Sequence, residues 1–235
     1  MMIATKICGV KTLELMNLLL VRNIQYIGMI FAESNRKIPI NTLKQCNQYL
    51  KNTNTQYTAS FVAVFMNQPL DEVINALMGF PFTVVQLHGE ESIGYCKKLK
   101  KQFPTIKIIK SLPIPFTIID ENTLLQDINK KISYYRQVVD GFLFDTKKGN
   151  QSGGTGSSFP WGCVKPIVDN PFRNYQIGIA GGLSPENITN LLEQLSPDFV
   201  DINSGVEING EKDIKEIDRL LKLLEDHNNE TYQTI

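Results

Sequence analysis

With 235 residues, 42% hydrophobic and 20% charged, the chain has the composition of a globular protein with enough length for one sizeable core. Its 24 basic and 24 acidic residues cancel, which argues against nucleic acid or an anionic membrane surface as partner. No apolar run reaches the roughly 18 residues of a membrane span, and the opening Met-Met-Ile-Ala-Thr-Lys shows no basic segment leading into an apolar one, so no export signal is expected.

Short runs rich in Ile, Val and Phe alternate with stretches of helical spacing. Strands are predicted over Ile3–Cys8, Tyr26–Phe31, Tyr57–Phe65, Phe82–Leu87, Ile106–Lys110, Val138–Phe144, Gln176–Ala180 and Phe199–Ile202. Helices fall between them. Asp71 and Glu72 suit the first turn of one, where the dipole favours anions. Ser184-Pro185-Glu186 reads as a helix start, with Ser184 as cap. Ile188, Leu191, Leu192 and Leu195 form one apolar stripe; Ile214, Ile217, Leu221 and Leu224 form another.

Eight strand–helix units without a dinucleotide fingerprint predict an α/β fold of a single kind: one (β/α)8 TIM barrel with eight parallel strands over residues 1–225, rather than an open doubly wound sheet. Residues 226–235 read as a polar C-terminal tail. Cys8, Cys46, Cys96 and Cys163 contain no Cys-x-x-Cys pair and are far apart in sequence. That speaks against a zinc cluster or a disulfide framework, so no metal site is expected and a reducing cytoplasm is the expected compartment.

Barrel chemistry sits where strands end, which selects the candidate site. The first strand ends on Cys8, with Lys6 as a neighbouring positive group that raises the thiolate fraction; the plain alternative is a buried small side chain, the reading for Cys46 and Cys96. Arg36 follows the second strand and suits a carboxylate. His88 follows the fourth, as a site residue or as a hydrogen-bonded structural one. The apolar run Phe142-Leu-Phe144 stops on Asp145, and a polar loop follows with Gly149, Gly153, Gly154 and Gly156. These glycines fit a lid, or simply a surface loop. The turns Ala180-Gly-Gly-Leu and Val200-Asp-Ile-Asn-Ser-Gly follow strands seven and eight and suit an anion, since barrels frequently bind phosphate there.

In order along nearly the whole chain, Lys6-Ile-Cys-Gly-Val, Tyr26-Ile-Gly-Met-Ile-Phe with Ser34-Asn-Arg36, Val84-Val-Gln-Leu-His-Gly-Glu, Phe144-Asp-Thr, Gly153-Gly-Thr-Gly, Ala180-Gly-Gly-Leu-Ser-Pro-Glu-Asn and Val200-Asp-Ile-Asn-Ser-Gly-Val-Glu resemble the signatures of the phosphoribosylanthranilate isomerases of tryptophan biosynthesis. The resemblance implies an Amadori rearrangement of N-(5-phosphoribosyl)anthranilate without any cofactor. It implies Cys8 as general base, Asp145 as general acid and Arg36 at the anthranilate carboxylate. Backbone around Gly181, Gly182, Ser204 and Gly205 is implied at the phosphate, with Asp201 and His88 at the pocket. A phosphoribosyl small molecule is then the only partner expected, with the chain a monomer or homodimer.

Three features depart from the family pattern. Phe159-Pro160-Trp161 stands where Phe-Asp-Trp is usual, which puts the start of the sixth helix in question. Asn203 replaces the first of two serines and is expected to keep its hydrogen-bonding capacity for phosphate. Residues 110–137 look long enough to add a loop. Two other functions stay open: a related barrel isomerase of histidine biosynthesis, which tends to carry a carboxylate where Cys8 stands, and a non-catalytic sugar-phosphate-binding barrel, which needs neither Cys8 nor Asp145.

Overall fold

A computed structural model describes residues 2–53, 57–148, 151–152 and 158–233. Gly149, Gly153, Gly154 and Gly156, read above as a lid, lie outside the described residues. The eight principal strands are β1 Ala4–Cys8, β2 Tyr26–Ile30, β3 Ser60–Phe65, β4 Val84–Leu87, β5 Lys107–Pro115, β6 Gly141–Lys148, β7 Gln176–Ala180 and β8 Phe199–Ile202. They alternate with α1 Leu13–Val21, α2 Ile40–Asn52, α3 Leu70–Met78, α4 Ile93–Gln102, α5 Glu121–Tyr135, α6 Lys165–Val168, α7 Ile188–Gln194 and α8 Ile214–Gln233. The hydrogen-bonded order is β5-β4-β3-β2-β1-β8-β7-β6, and β5 pairs with β6 as well, so the sheet closes. The fold class is the expected eight-stranded parallel barrel. Near-continuous apolar runs such as Phe61–Phe65 follow from strands covered on both faces.

The chain forms two compact units. One holds Lys6–Ser111 and Tyr134–Gly141. Its strands β1 to β5 are parallel and in register, with Cys8 opposite Gly28, Gly28 opposite Val62, and Val64 opposite Gln86. Half-buried Phe31 stacks on buried Phe65, and Phe61 and Phe80 meet edge-on in its interior, both pairs 4.9 Å between centroids. Thr12 caps α1 by accepting from the Leu15 amide, and Ser92 caps α4 by accepting from the Tyr95 amide, each at 3.2 Å. Asp71 and Glu72 occupy the first turn of α3 as expected.

The other unit holds Met1–Thr5, Leu112–Ser133 and Phe142–Ile235. Here several boundaries differ from the sequence reading. Residues 110–137 are spent on the end of β5 and on the fifteen-residue α5, so the extra length is strand and helix. The family departure at Phe159-Pro160-Trp161 leads into a 3-10 turn, Trp161–Val164, before the single turn of α6. Ser184 does not cap α7. Its hydroxyl accepts from the Glu186 amide in a preceding turn, and the helix begins only after Asn187. On α8 the buried stripe is Ile217, Leu220 and Leu224, while Ile214 is exposed. That helix continues to Gln233, so most of the polar segment after 225 forms its last turns, and Asn228 Oδ1 accepts from the Ile3 amide at 3.2 Å.

Candidate active site

On β1, Lys6 and Cys8 stand two residues apart and so share one face of the strand. Lys6 is fully buried and Cys8 is 4% exposed. Gly28 on β2 leaves room for both: a Cβ there would lie 2.9 Å from Cys8 Sγ and 3.2 Å from Lys6 Cε. Glycine at 28 is therefore what lets a thiol and a lysine stem occupy this face together. Gly28→Ala is expected to turn the thiol aside and lower kcat at least about tenfold, with about 1–3 kcal/mol of stability lost to overpacking; steady-state rates beside a urea melt check this, and unchanged kcat would mean the thiol position does not matter.

The other thiols differ in setting. Burial pushes Cys46, Cys96 and Cys163 up to about 11, which keeps them protonated and inert at neutral pH. Cys46 and Cys96 lie on buried helix faces, as expected.

Lys6 Nζ donates to Gln86 Oε1 at 2.8 Å, and Gln86 Nε2 lies 3.2 Å from His88 Nδ1. His88 follows directly on β4, its amide donating to the Phe65 carbonyl at 2.8 Å. The loop it opens is fixed by a buried ion pair that composition does not reveal. Lys110 Nζ lies 3.2 Å from Glu91 Oε2, with side chains 3% and 2% exposed. Glu91 accepts from the amides of Gly89 and Asn67, and Lys110 donates to the carbonyls of Leu87 and Gly89. Lys110→Met would strand the Glu91 charge, so we expect a loss of about 3 kcal/mol or more, read from the urea midpoint at unchanged slope. A loss under about 1 kcal/mol would show that Glu91 finds another partner.

Arg36 lies in the turn after β2 and is partly buried. Its amide donates to Ser34 Oγ at 3.2 Å, and the turn closes where the Ile38 amide bonds the Ile30 carbonyl at 2.8 Å.

In the second unit, Asp145 is 8% exposed and follows Phe142, Leu143 and Phe144, all fully buried. The sequence places Asp145 at the end of its strand, but β6 runs on to Lys148. A short return strand, Gln151–Ser152, supplies the missing partners, with Lys147 opposite Ser152. The acid thus sits within a hydrogen-bonded strand. Asp201 is buried on β8, its backbone opposite Ala180 on β7.

The turns after β7 and β8 meet. Gly181 and Gly182 have φ of 91° and 68°, conformations that favour glycine. A Cβ on Gly181 would strike Thr146 Oγ1 at 2.2 Å, and one on Gly205 would strike the Leu183 carbonyl oxygen at 1.8 Å. Asn187 Nδ2 donates to the Gly182 carbonyl at 2.8 Å, and Ser158 Oγ donates to that of Gly181 at 3.0 Å. Asn203 leads into the 3-10 turn Ser204–Val206. Its side-chain oxygen has a partner within the fold: Lys212 Nζ donates to both Asn203 Oδ1 (2.8 Å) and its carbonyl (3.0 Å), and pairs with Glu207. Asn203 therefore shapes the turn, a role that only the fold-dependent approach of Lys212 could disclose.

Comparison with known proteins decides the family. Residues 5–223 match the model of the N-(5'phosphoribosyl)anthranilate (PRA) isomerases. The chain belongs to this family. It is 32% identical over 222 residues to the N-(5'-phosphoribosyl)anthranilate isomerase of Brevibacillus brevis, covering 94% of this chain and 93% of that one. It is 35% identical over 216 residues to that of Petrotoga mobilis, covering 91% and 93%. Among solved structures, the phosphoribosyl anthranilate isomerase of Thermotoga maritima superposes with a TM-score of 0.75 at 28% identity, covering 96% of this chain and 100% of that one. A further isomerase structure, at TM-score 0.73 and 27% identity over 96% and 100% of the two chains, holds reduced 1-(o-carboxyphenylamino)-1-deoxyribulose 5-phosphate. The isomerase activity and the place in tryptophan biosynthesis expected from the sequence therefore stand. No helix among the described residues is long and apolar enough to cross a membrane.

Proposed function

We propose that this phosphoribosylanthranilate isomerase opens and rearranges its substrate with Asp145 as acid and Cys8 as base. Asp145 protonates the furanose ring oxygen, and the ring opens to a Schiff base. Cys8 removes the proton from ribose C2. The resulting enolamine takes a proton at C1 as its C2 hydroxyl gives one up, which yields the ketone. Positioned proton transfer contributes about 10²- to 10⁴-fold per group. Arg36 holds the anthranilate carboxylate by a bidentate fork. Backbone amides of Gly181, Gly182, Ser204 and Gly205 hold the phosphate, and Asp201 and His88 contact the remaining ligand. Cytoplasm is the compartment that suits a chain with four free thiols.

The observation that carries this reading is the β1 arrangement: a buried thiol and a buried ammonium on one strand face, with glycine cleared opposite both. A sensor that merely binds sugar phosphate gains nothing from that arrangement. Purified protein should consume N-(5-phosphoribosyl)anthranilate, followed by its fluorescence; absence of turnover, with the aminoimidazole ribonucleotide of histidine biosynthesis accepted instead, would favour the rival isomerase.

The phosphate assignment has its own test. Gly182→Val forces a β-branched residue to φ of 68°, so KM should rise at least about tenfold with kcat less affected. Inorganic phosphate should compete at tens of millimolar, roughly the affinity of a weak anion site. No competition, with KM unchanged in the variant, would place the phosphate elsewhere.

A further inference from the structure

Gln86 has no part in the assignments above, yet together with Lys6 it settles the state of His88. β2 and β3 lie between β1 and β4 in the sheet, so the Lys6–Gln86 bond crosses the inner side of the curved strands. Both residues are buried there, and His88 is partly exposed beside them. The chemistry of the three groups fixes the direction of every hydrogen bond. An ammonium only donates, so Gln86 must turn its oxygen to Lys6, as it does at 2.8 Å. Its amide nitrogen then faces His88, and that nitrogen also only donates. His88 Nδ1, 3.2 Å away, must accept. An imidazole nitrogen that accepts carries no proton, so the proton lies on Nε2.

We infer that Lys6 and Gln86 form a one-way relay that holds His88 as its neutral Nε2–H tautomer, so that His88 serves the site as a hydrogen-bond donor and not as its base. A proton on Nδ1 would oppose N–H to NH2; flipping the amide to relieve this would oppose NH2 to the Lys6 ammonium. Flanking charge acts in the same sense. Lys110, from β5, bonds the carbonyls on either side of His88 in sequence, and its counter-ion Glu91 is taken up by Lys110 and two backbone amides. Lys6 thereby acts twice on β1's inner face, beside the Cys8 thiol and at the head of the relay.

The tautomer follows from the geometry alone. That the donor serves substrate rests on the proposed function, so the decisive measurement uses ligand-free protein. The chain has two histidines, and His227→Gln leaves one ring to observe. In 15N-labelled His227→Gln protein at pH 8, Nδ1 should resonate in the unprotonated, pyridine-type range and Nε2 in the protonated, pyrrole-type range. Gln86→Glu puts an acceptor between Lys6 and His88, and should move the proton to Nδ1. If that variant fails to fold, Lys6→Met takes its place: the amide is freed to turn and the two tautomers should mix. A proton on Nδ1 in the parent protein overturns the relay, and so does an Nε2–H signal unmoved in both variants. In catalysis, His88→Ala should raise KM about tenfold with kcat changed much less, and His88→Gln, which restores a donor, should recover most of it. A kcat loss matching that of a missing base, with KM unchanged, would overturn the donor role while leaving the tautomer standing.

Discussion

Asp145→Asn is expected to lower kcat at least about 10²-fold, while KM changes far less. An amide has nearly the shape of the acid and keeps hydrogen-bonding capacity, but it has no proton to give to the ring oxygen. The geometry favours a clean result. Asp145 is held inside β6, between three fully buried residues and Thr146, and the strand continues to Lys148, paired there with Gln151–Ser152. The substitution therefore has little freedom to move backbone. Asp145→Glu is the useful companion, since it retains the acid but advances it by one methylene from a rigid anchor. It should recover only part of the rate, because misplacement by an ångström is itself costly. Both are read by substrate fluorescence under saturating and limiting conditions. Wild-type kcat in Asp145→Asn would remove the carboxyl from the chemistry.

β7 and β8 were legible to the residue, because short apolar runs between glycine- and proline-rich turns have sharp ends. β5 was not. It runs five residues beyond Lys110 through Ser111-Leu-Pro-Ile-Pro115, and prolines argue against a strand interior. Its extension pairs beyond the reach of local pattern: the Phe116 amide bonds the Lys147 carbonyl at 3.0 Å, beside the unforeseen length of β6. The polar Thr146-Lys-Lys reads as loop for the same reason. Cys8, His88 and the glycine turns were legible because strand ends predict them. Gln86, the Glu91–Lys110 pair and the Lys212–Asn203 contact were not. Each joins residues whose types are ordinary for their places, and only the fold brings them together.

Cys8→Ser should also cost at least about 10²-fold in kcat, because an alcohol is a far weaker base than a thiolate. The pH dependence carries more information than the rate. The proposed mechanism uses Cys8 without its proton and Asp145 with one, whereas free cysteine and aspartate titrate near about 8.5 and about 3.9. Their order must be altered for both forms to be abundant together. Burial alone works against the thiolate, as it does for the other three cysteines. A cation on the same strand face works for it, and Lys6 is that cation. The observable is a bell-shaped profile of kcat/KM. Activity rises with pH as the thiol deprotonates and falls as the acid loses its proton. Removing the charge in Lys6→Met makes the thiolate harder to form, so the rising limb should move to higher pH while the falling limb stays nearer its place. A rising limb that ignores Lys6 would assign the potential at Cys8 to another source. Wild-type kcat in Cys8→Ala would go further and make the thiol structural. The base would then be sought at Asp201, since a histidine held as an Nε2–H donor is poorly suited to take a carbon-bound proton.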